Sequence, residues 1–146
     1  MIGCAQDEWV GFISKVLPEV NGIFRHYIKE PFEWKSFKSA LGEFRGYGVG
    51  APFVICYFGS EVLDERWGLS SYSYRLPLRV VCCCENREKL DDALKRLQKG
   101  LRSEEFQFFQ LVGSSELDLY RPDRDAGIVG LCLGGLSLEI LVSSKD

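Results

Sequence analysis

Histidine is almost missing from this 146-residue chain, which has His26 alone, beside one methionine and five prolines. A single imidazole cannot build a histidine metal cluster, and any Ser-His or Cys-His chemistry would have to run through His26. That residue sits between Arg25 and Tyr27 in a stretch read as helical, with no second histidine and no spaced carboxylate pair beside it. It reads as a surface or core-edge residue. Positive charge is also in short supply, 18 Lys and Arg against 21 Asp and Glu for a net charge of -3. A chain without a basic excess has little attraction for polyanions, so sequence-specific nucleic-acid binding is not expected. No apolar run reaches the roughly 18 to 20 residues of a membrane span, and the opening MIGCAQDEWV has no basic segment leading into an apolar one. No membrane association and no export are expected. Neither Cys-x-x-Cys, Gly-x-Ser-x-Gly, His-Glu-x-x-His nor a Walker pattern occurs. These absences leave no local signature of an enzyme.

Hydrophobic residues at 46% and charged residues at 27% describe a chain that folds. At this length one domain, residues 1–146, is expected, with a helical N-terminal part over 1–46 and a sheet core over 51–142.

Six cysteines are present, and Cys82, Cys83 and Cys84 are consecutive. In a strand, neighbouring side chains point to opposite faces, so Cys82 and Cys84 share one face and Cys83 takes the other. Together with Cys4, Cys56 and Cys132 in apolar surroundings, they read as buried, reduced thiols used as small hydrophobes, which suits a reducing, cytoplasmic compartment.

The strongest signal is residues 70–101, where the alternating SSYSYRLPLRVVCCCE runs into NREKLDDALKRLQKGL. Tyr72, Tyr74, Leu76, Leu78, Val80, Cys82 and Cys84 fall on one strand face, with Ser73, Arg75, Pro77 and Arg79 opposite. Val81 and Cys83 make the last third apolar on both sides, so that end should be covered. Pro77 lacks a donor and predicts an edge or a bulge there. Asn86 is a suitable cap for a helix whose Leu90, Ala93, Leu94, Leu97 and Leu101 share a face. Asp91 with Lys95, and Asp92 with Arg96, place opposite charges one turn apart on its solvated side.

Elsewhere the spacing predicts an amphipathic helix over residues 7–28, kinked or broken at Pro18, and a short second helix over 34–44. The run Gly46-Tyr47-Gly48-Val49-Gly50 follows without the Gly-Lys-Ser/Thr of a phosphate loop, and 53–58 reads as a buried strand. Residues 59–71 read as a long hairpin loop. Segments 106–112 and 116–120 predict one interrupted strand or two short ones, and Gly134-Gly135 is either a hairpin turn or a bulge in one long strand. The fold class expected is α+β: N-terminal helices and a mixed or antiparallel sheet of about four to five strands with one amphipathic helix packed on it.

Carboxylates cluster at Glu61, Asp64 and Glu65, at Asp91 and Asp92, at Glu104 and Glu105, and at Asp123 and Asp125. Most fall in expected loops or on a solvated helix face, where acids need no further explanation. No catalytic residue, cofactor or metal site is assigned. Trp67 stands apart, a large apolar side chain in a polar loop that either meets another chain or folds back on its own sheet, and with Glu61, Asp64, Glu65 and Arg66 it forms the candidate interface.

In element order, and in APFVICYFGSE, SYSYRLPLRVVCCCENREKLDDALKRLQKGL and LDLYRPDRDAG, the chain resembles the tail-terminator (tail-completion) proteins of long-tailed bacteriophages. The resemblance covers about residues 51–142. It implies a non-enzymatic subunit, phage- or prophage-encoded, that assembles as a homo-oligomeric ring, expected as a hexamer. Such a ring ends the tail tube and meets the head connector, so the implied partners are copies of itself, tail-tube protein and connector protein. The cysteine triplet and the long helical N-terminal part are not features of that resemblance. A small cytoplasmic α+β module that binds a ligand or protein is the alternative reading.

Overall fold

Strict alternation over a long stretch makes a strand that can bury one whole face. In the computed structural model, which describes residues 2–28, 50–66, 71–120 and 131–145, that stretch is the 14-residue strand β4, Ser71–Cys84. Leu76, Leu78, Val80, Cys82 and Cys84 are buried on one face, and Val81 and Cys83 on the other, as their pattern predicted. The chain order is α1 (Ile2–Val16), β1 (Ile23–Tyr27), β2 (Phe53–Phe58), β3 (Val62–Arg66), β4, α2 (Arg87–Ser103), β5 (Gln110–Tyr120) and β6 (Cys132–Lys145). The strands form one mixed sheet in the order β1-β2-β4-β6-β5, with β3 also paired to β4. Among the described strands β1 and β2 run parallel; β2, β3 and β6 are antiparallel to β4, and β5 to β6.

Both described helices cover the same face. The α2 residues Leu90, Ala93, Leu94, Leu97 and Leu101 are buried, and Asn86 caps the helix by accepting the Lys89 N–H at 2.9 Å. From α1, Ala5, Trp9, Phe12 and Ile13 join the same cluster. Each fully buried leucine or isoleucine contributes about 1.5–3 kcal/mol of transfer free energy, so this face is the main apolar core. The helices meet at Gly100, where a Cβ would lie 3.0 Å from the Phe12 ring and 3.2 Å from Val16. A missing side chain there lets α1 approach. On the opposite face Phe53, Ile55, Tyr57, Val81, Cys83 and Leu133 are also buried, so one end of the sheet is closed on both sides.

Several expectations need correction. The first helix spans Ile2–Val16, and beyond Pro18 residues Ile23–Tyr27 form strand β1. Over five residues, helical spacing and strand alternation share too many positions to be told apart, and pairing with β2 decides the matter. Residues 59–71 are not simply a loop, because β3 lies within them. The described strands number six, more than four to five, and two helices pack on the sheet where one was expected. Residues 106–109 precede β5 rather than form part of it; Phe106 and Phe109 stack at 4.4 Å and Phe109 reaches Trp9 at 6.4 Å. Aromatic packing against α1 wins over strand propensity. Gly134-Gly135 lies inside β6, whose register with β4 runs unbroken from Ser71↔Lys145 to Cys84↔Cys132. A Cβ on Gly135 would sit 2.0 Å from the Val80 carbonyl oxygen, so the glycine serves close backbone approach and not a turn. The break falls instead in β5, between Val112 and Glu116, at a left-handed Gly113 with φ 71°. The expected helix over 34–44 lies outside the described residues.

Candidate functional site

Strand β3 exists because β4 runs on past the end of β2. The β2 ladder stops at Phe58↔Leu78, the Gly59 N–H donates to the Pro77 carbonyl at 2.9 Å, and β3 takes over at Val62↔Arg75. Pro77 thus stands where one neighbour gives way to the next, which corrects the expectation of an edge or a bulge. Its missing N–H faces that gap, because in an antiparallel ladder a residue's N–H and C=O point the same way. Gly59 is needed here too, since a Cβ would lie 3.1 Å from the proline ring.

The candidate interface residues are gathered along this strand. Glu61 is exposed just before β3, Asp64 occupies its bulge, and Glu65 and Arg66 register with Ser73 and Tyr72. Trp67 lies outside the described residues. Val62 and Leu63, which sequence reasoning passed over, are 60% and 52% exposed. Among the described residues the other exposed large hydrophobics are Tyr27 at 60% and Leu117 at 51%. These residues lie on β3, β1 and β5, the outer strands of the sheet as the described residues form it. The signal was present in the sequence as apolar residues inside a polar segment, but it was assigned to Trp67 alone.

A second feature was invisible in the sequence: a pocket of about 320 Å³ at the end of the sheet, between α2 and the turn that follows α1. Val54, Cys82 and Cys84 line it from the sheet, Leu17 and Val20 from the turn, and Ala93 from α2. Its charged lining is self-compensating. Arg96 donates to both carboxylate oxygens of Glu19 and, at 3.1 Å, to the Val16 carbonyl, while its Nε lies 3.0 Å from Asp92 outside hydrogen-bond geometry. The hydrogen bonds from Arg96 hold the Glu19 carboxyl below the usual carboxylate range, and Glu19 in turn raises the guanidinium. Lys89 is paired with Glu85 at 3.0 Å. Such a pocket suits a small uncharged, mainly apolar body. Glu19 and Arg96 are 77 residues apart, so nothing local announced their pairing. The Asp92–Arg96 pair was legible from its spacing, whereas Asp91 pairs with Arg87 rather than with Lys95.

Burial holds three of the sheet thiols in the protonated form, whereas the thiolate is the stronger nucleophile, so a reaction at any of them must also carry the proton away. Burial pushes Cys56 up to about 12 and Cys84 up to about 11, and raises Cys82 as well. Cys4 departs from the expected burial and is exposed on α1, while Cys132 is half-buried. His26 is on strand β1, not on a helix, with its ring 5.6 Å from that of Tyr57. Glu8 accepts the N–H groups of Gln107 and Phe108 at 2.8 and 2.9 Å and so ties α1 to the segment before β5. Among the described residues no group of three or more His, Cys, Asp and Glu could hold a metal ion. None of their helices is long and apolar enough to cross a membrane. No protein-family model matches the chain, and no curated protein matches its sequence.

Proposed function

We propose that the chain is a non-enzymatic assembly subunit that works as a homo-oligomeric ring, in the manner of the phage tail terminators it resembles. The observation that supports this reading is the position of the exposed apolar side chains. Val62, Leu63, Tyr27 and Leu117 all lie on the outer strands of the described sheet, and strand edges are where a second chain can pair. A contact between two different edges of one subunit is heterologous, and heterologous contacts that close generate rings. In this reading six copies form the ring, Glu61, Asp64, Glu65, Arg66 and Trp67 contribute to its contacts, and tail-tube and connector proteins meet its two faces. The reduced thiols suit assembly in the cytoplasm of a host cell, with the protein then carried in the virion.

The test is the mass of the particle in solution by light scattering and native mass spectrometry, for the wild type and for Val62→Ser/Leu63→Ser. A hexamer that the double variant dissociates supports the reading; a wild-type chain that stays monomeric at its highest soluble concentration overturns it. The pocket beneath α2 favours a second reading, a small ligand-binding module. Under that reading a neutral apolar probe such as indole raises the melting temperature of a strict monomer.

A further inference from the structure

Across the ladders of the sheet, one pair of cysteines stands face to face. Cys84 registers directly with Cys132 at the end of the β4–β6 ladder. Cys82 meets Val54 and Gly134, Cys83 meets Phe53 and Leu133, and Cys56 meets Arg25 and Val80. The Pro77 carbonyl points toward β2, so residues an odd number of steps away along β4, Cys84 among them, point their backbone groups toward β6. Cys84 and Cys132 are therefore a hydrogen-bonded pair, for which the Cα separation is about 5.5 Å. That lies inside the range of about 4.4–6.8 Å that a disulfide spans. Both side chains belong to the helix-covered face, and Cys132 is the more accessible of the two. The Cys132 charge is, after burial, the largest influence raising the Cys84 thiol, as expected of close neighbours.

We propose that Cys84 and Cys132 form an oxidisable pair that a peroxide converts to an intramolecular disulfide. The Cys132 sulfur attacks the peroxide O–O bond, giving a sulfenic acid and, from hydrogen peroxide, one water. The Cys84 sulfur then attacks the Cys132 sulfur, and its thiol proton leaves with the displaced hydroxide as a second water. The two thiols lose two electrons and two protons, and hydrogen peroxide is reduced to two waters. The bond encloses the whole of α2 and β5 in a covalent loop and fastens β4 to β6 beside the pocket that Cys84 lines.

The experiment uses the full chain carrying Cys4→Ser, which removes the exposed thiol that would cross-link copies. The folded protein is treated with hydrogen peroxide, remaining thiols are alkylated, and peptides are mapped by mass spectrometry without reduction. The expected product is a single Cys84–Cys132 linked peptide, two hydrogens lighter than its parts, accounting for most of the oxidised protein and lost when oxidation is carried out in denaturing urea. In a further Cys84→Ser variant, dimedone should label Cys132. Over-oxidation of Cys132 with Cys84 still alkylated in full, or a different cysteine pairing in the folded protein, overturns the proposal.

Discussion

Along β4, the inner half from Val80 to Cys84 lies between β2 and β6 and is closed on both faces, whereas the half toward Ser71 takes β3 as its neighbour beyond Pro77 and leaves Arg75 exposed. One alternating pattern serves both halves. What separates them is Val81 and Cys83, which replace the arginines and proline of the outer half's second face with apolar groups. The inner half is where the stability of the sheet should be concentrated; the outer half carries surface. An arginine, Arg75, and its partner Glu139 at 3.4 Å decorate the face that Val81 and Cys83 bury three pleat repeats further on. Exposed ion pairs of this kind contribute little to stability.

Substitutions can break this contrast. Trp9→Ala empties the fully buried indole that packs with Phe12 and Phe109 over the inner half, and should cost about 3–5 kcal/mol in denaturant unfolding. Gly135→Ala should cost about 1–3 kcal/mol or more, because its Cβ would meet backbone and not a movable side-chain end. By contrast Val62→Ser/Leu63→Ser on the outer half should leave chain stability within about 0.5 kcal/mol per site while acting on assembly. A loss as large as that of Trp9→Ala would show the two halves to be equally structural.

Titration sharpens the same comparison. Buried Cys56 keeps its proton in the fold up to about 12, while the unfolded chain releases it near 9.0. Its contribution is therefore complete below pH 9 and is lost as the pH rises toward 12. Chemical unfolding across that window should show a falling stability in the wild type and a flatter profile in Cys56→Ala. The smallest effect belongs to Glu19, whose carboxyl is depressed by the hydrogen bonds from Arg96. Its stabilisation is present above the ordinary value of 4.5 and fades as the pH falls below it, and Glu19→Gln should remove that acid component. Since both partners are solvent-accessible, the difference should be only a few tenths of a kcal/mol.

Legibility follows the same physical division. The β4–α2 unit could be read because long runs of period two and then 3.6 leave few alternatives, and because Asn86 caps where a cap was needed. Strand β1 could not, because its five residues owe their state to pairing with β2, far off in sequence. Strand β3 was hidden by its polarity: Glu61, Asp64, Glu65 and Arg66 mark a strand whose outer edge meets no other described strand, and charge there looks like a loop. The pocket and the Glu19–Arg96 pair arise only when the turn after α1 is laid against α2, which no local pattern encodes.

Pro77 gives the sheet a perforation. On its β2 and β3 side, β4 carries two separate rows of hydrogen bonds with a residue between them that cannot donate. Tearing β3 away costs only its own short row, and the tear stops at the proline instead of running on into β2. A subunit built this way can remodel one strand against a neighbour while the closed half of its sheet holds the register of everything behind it.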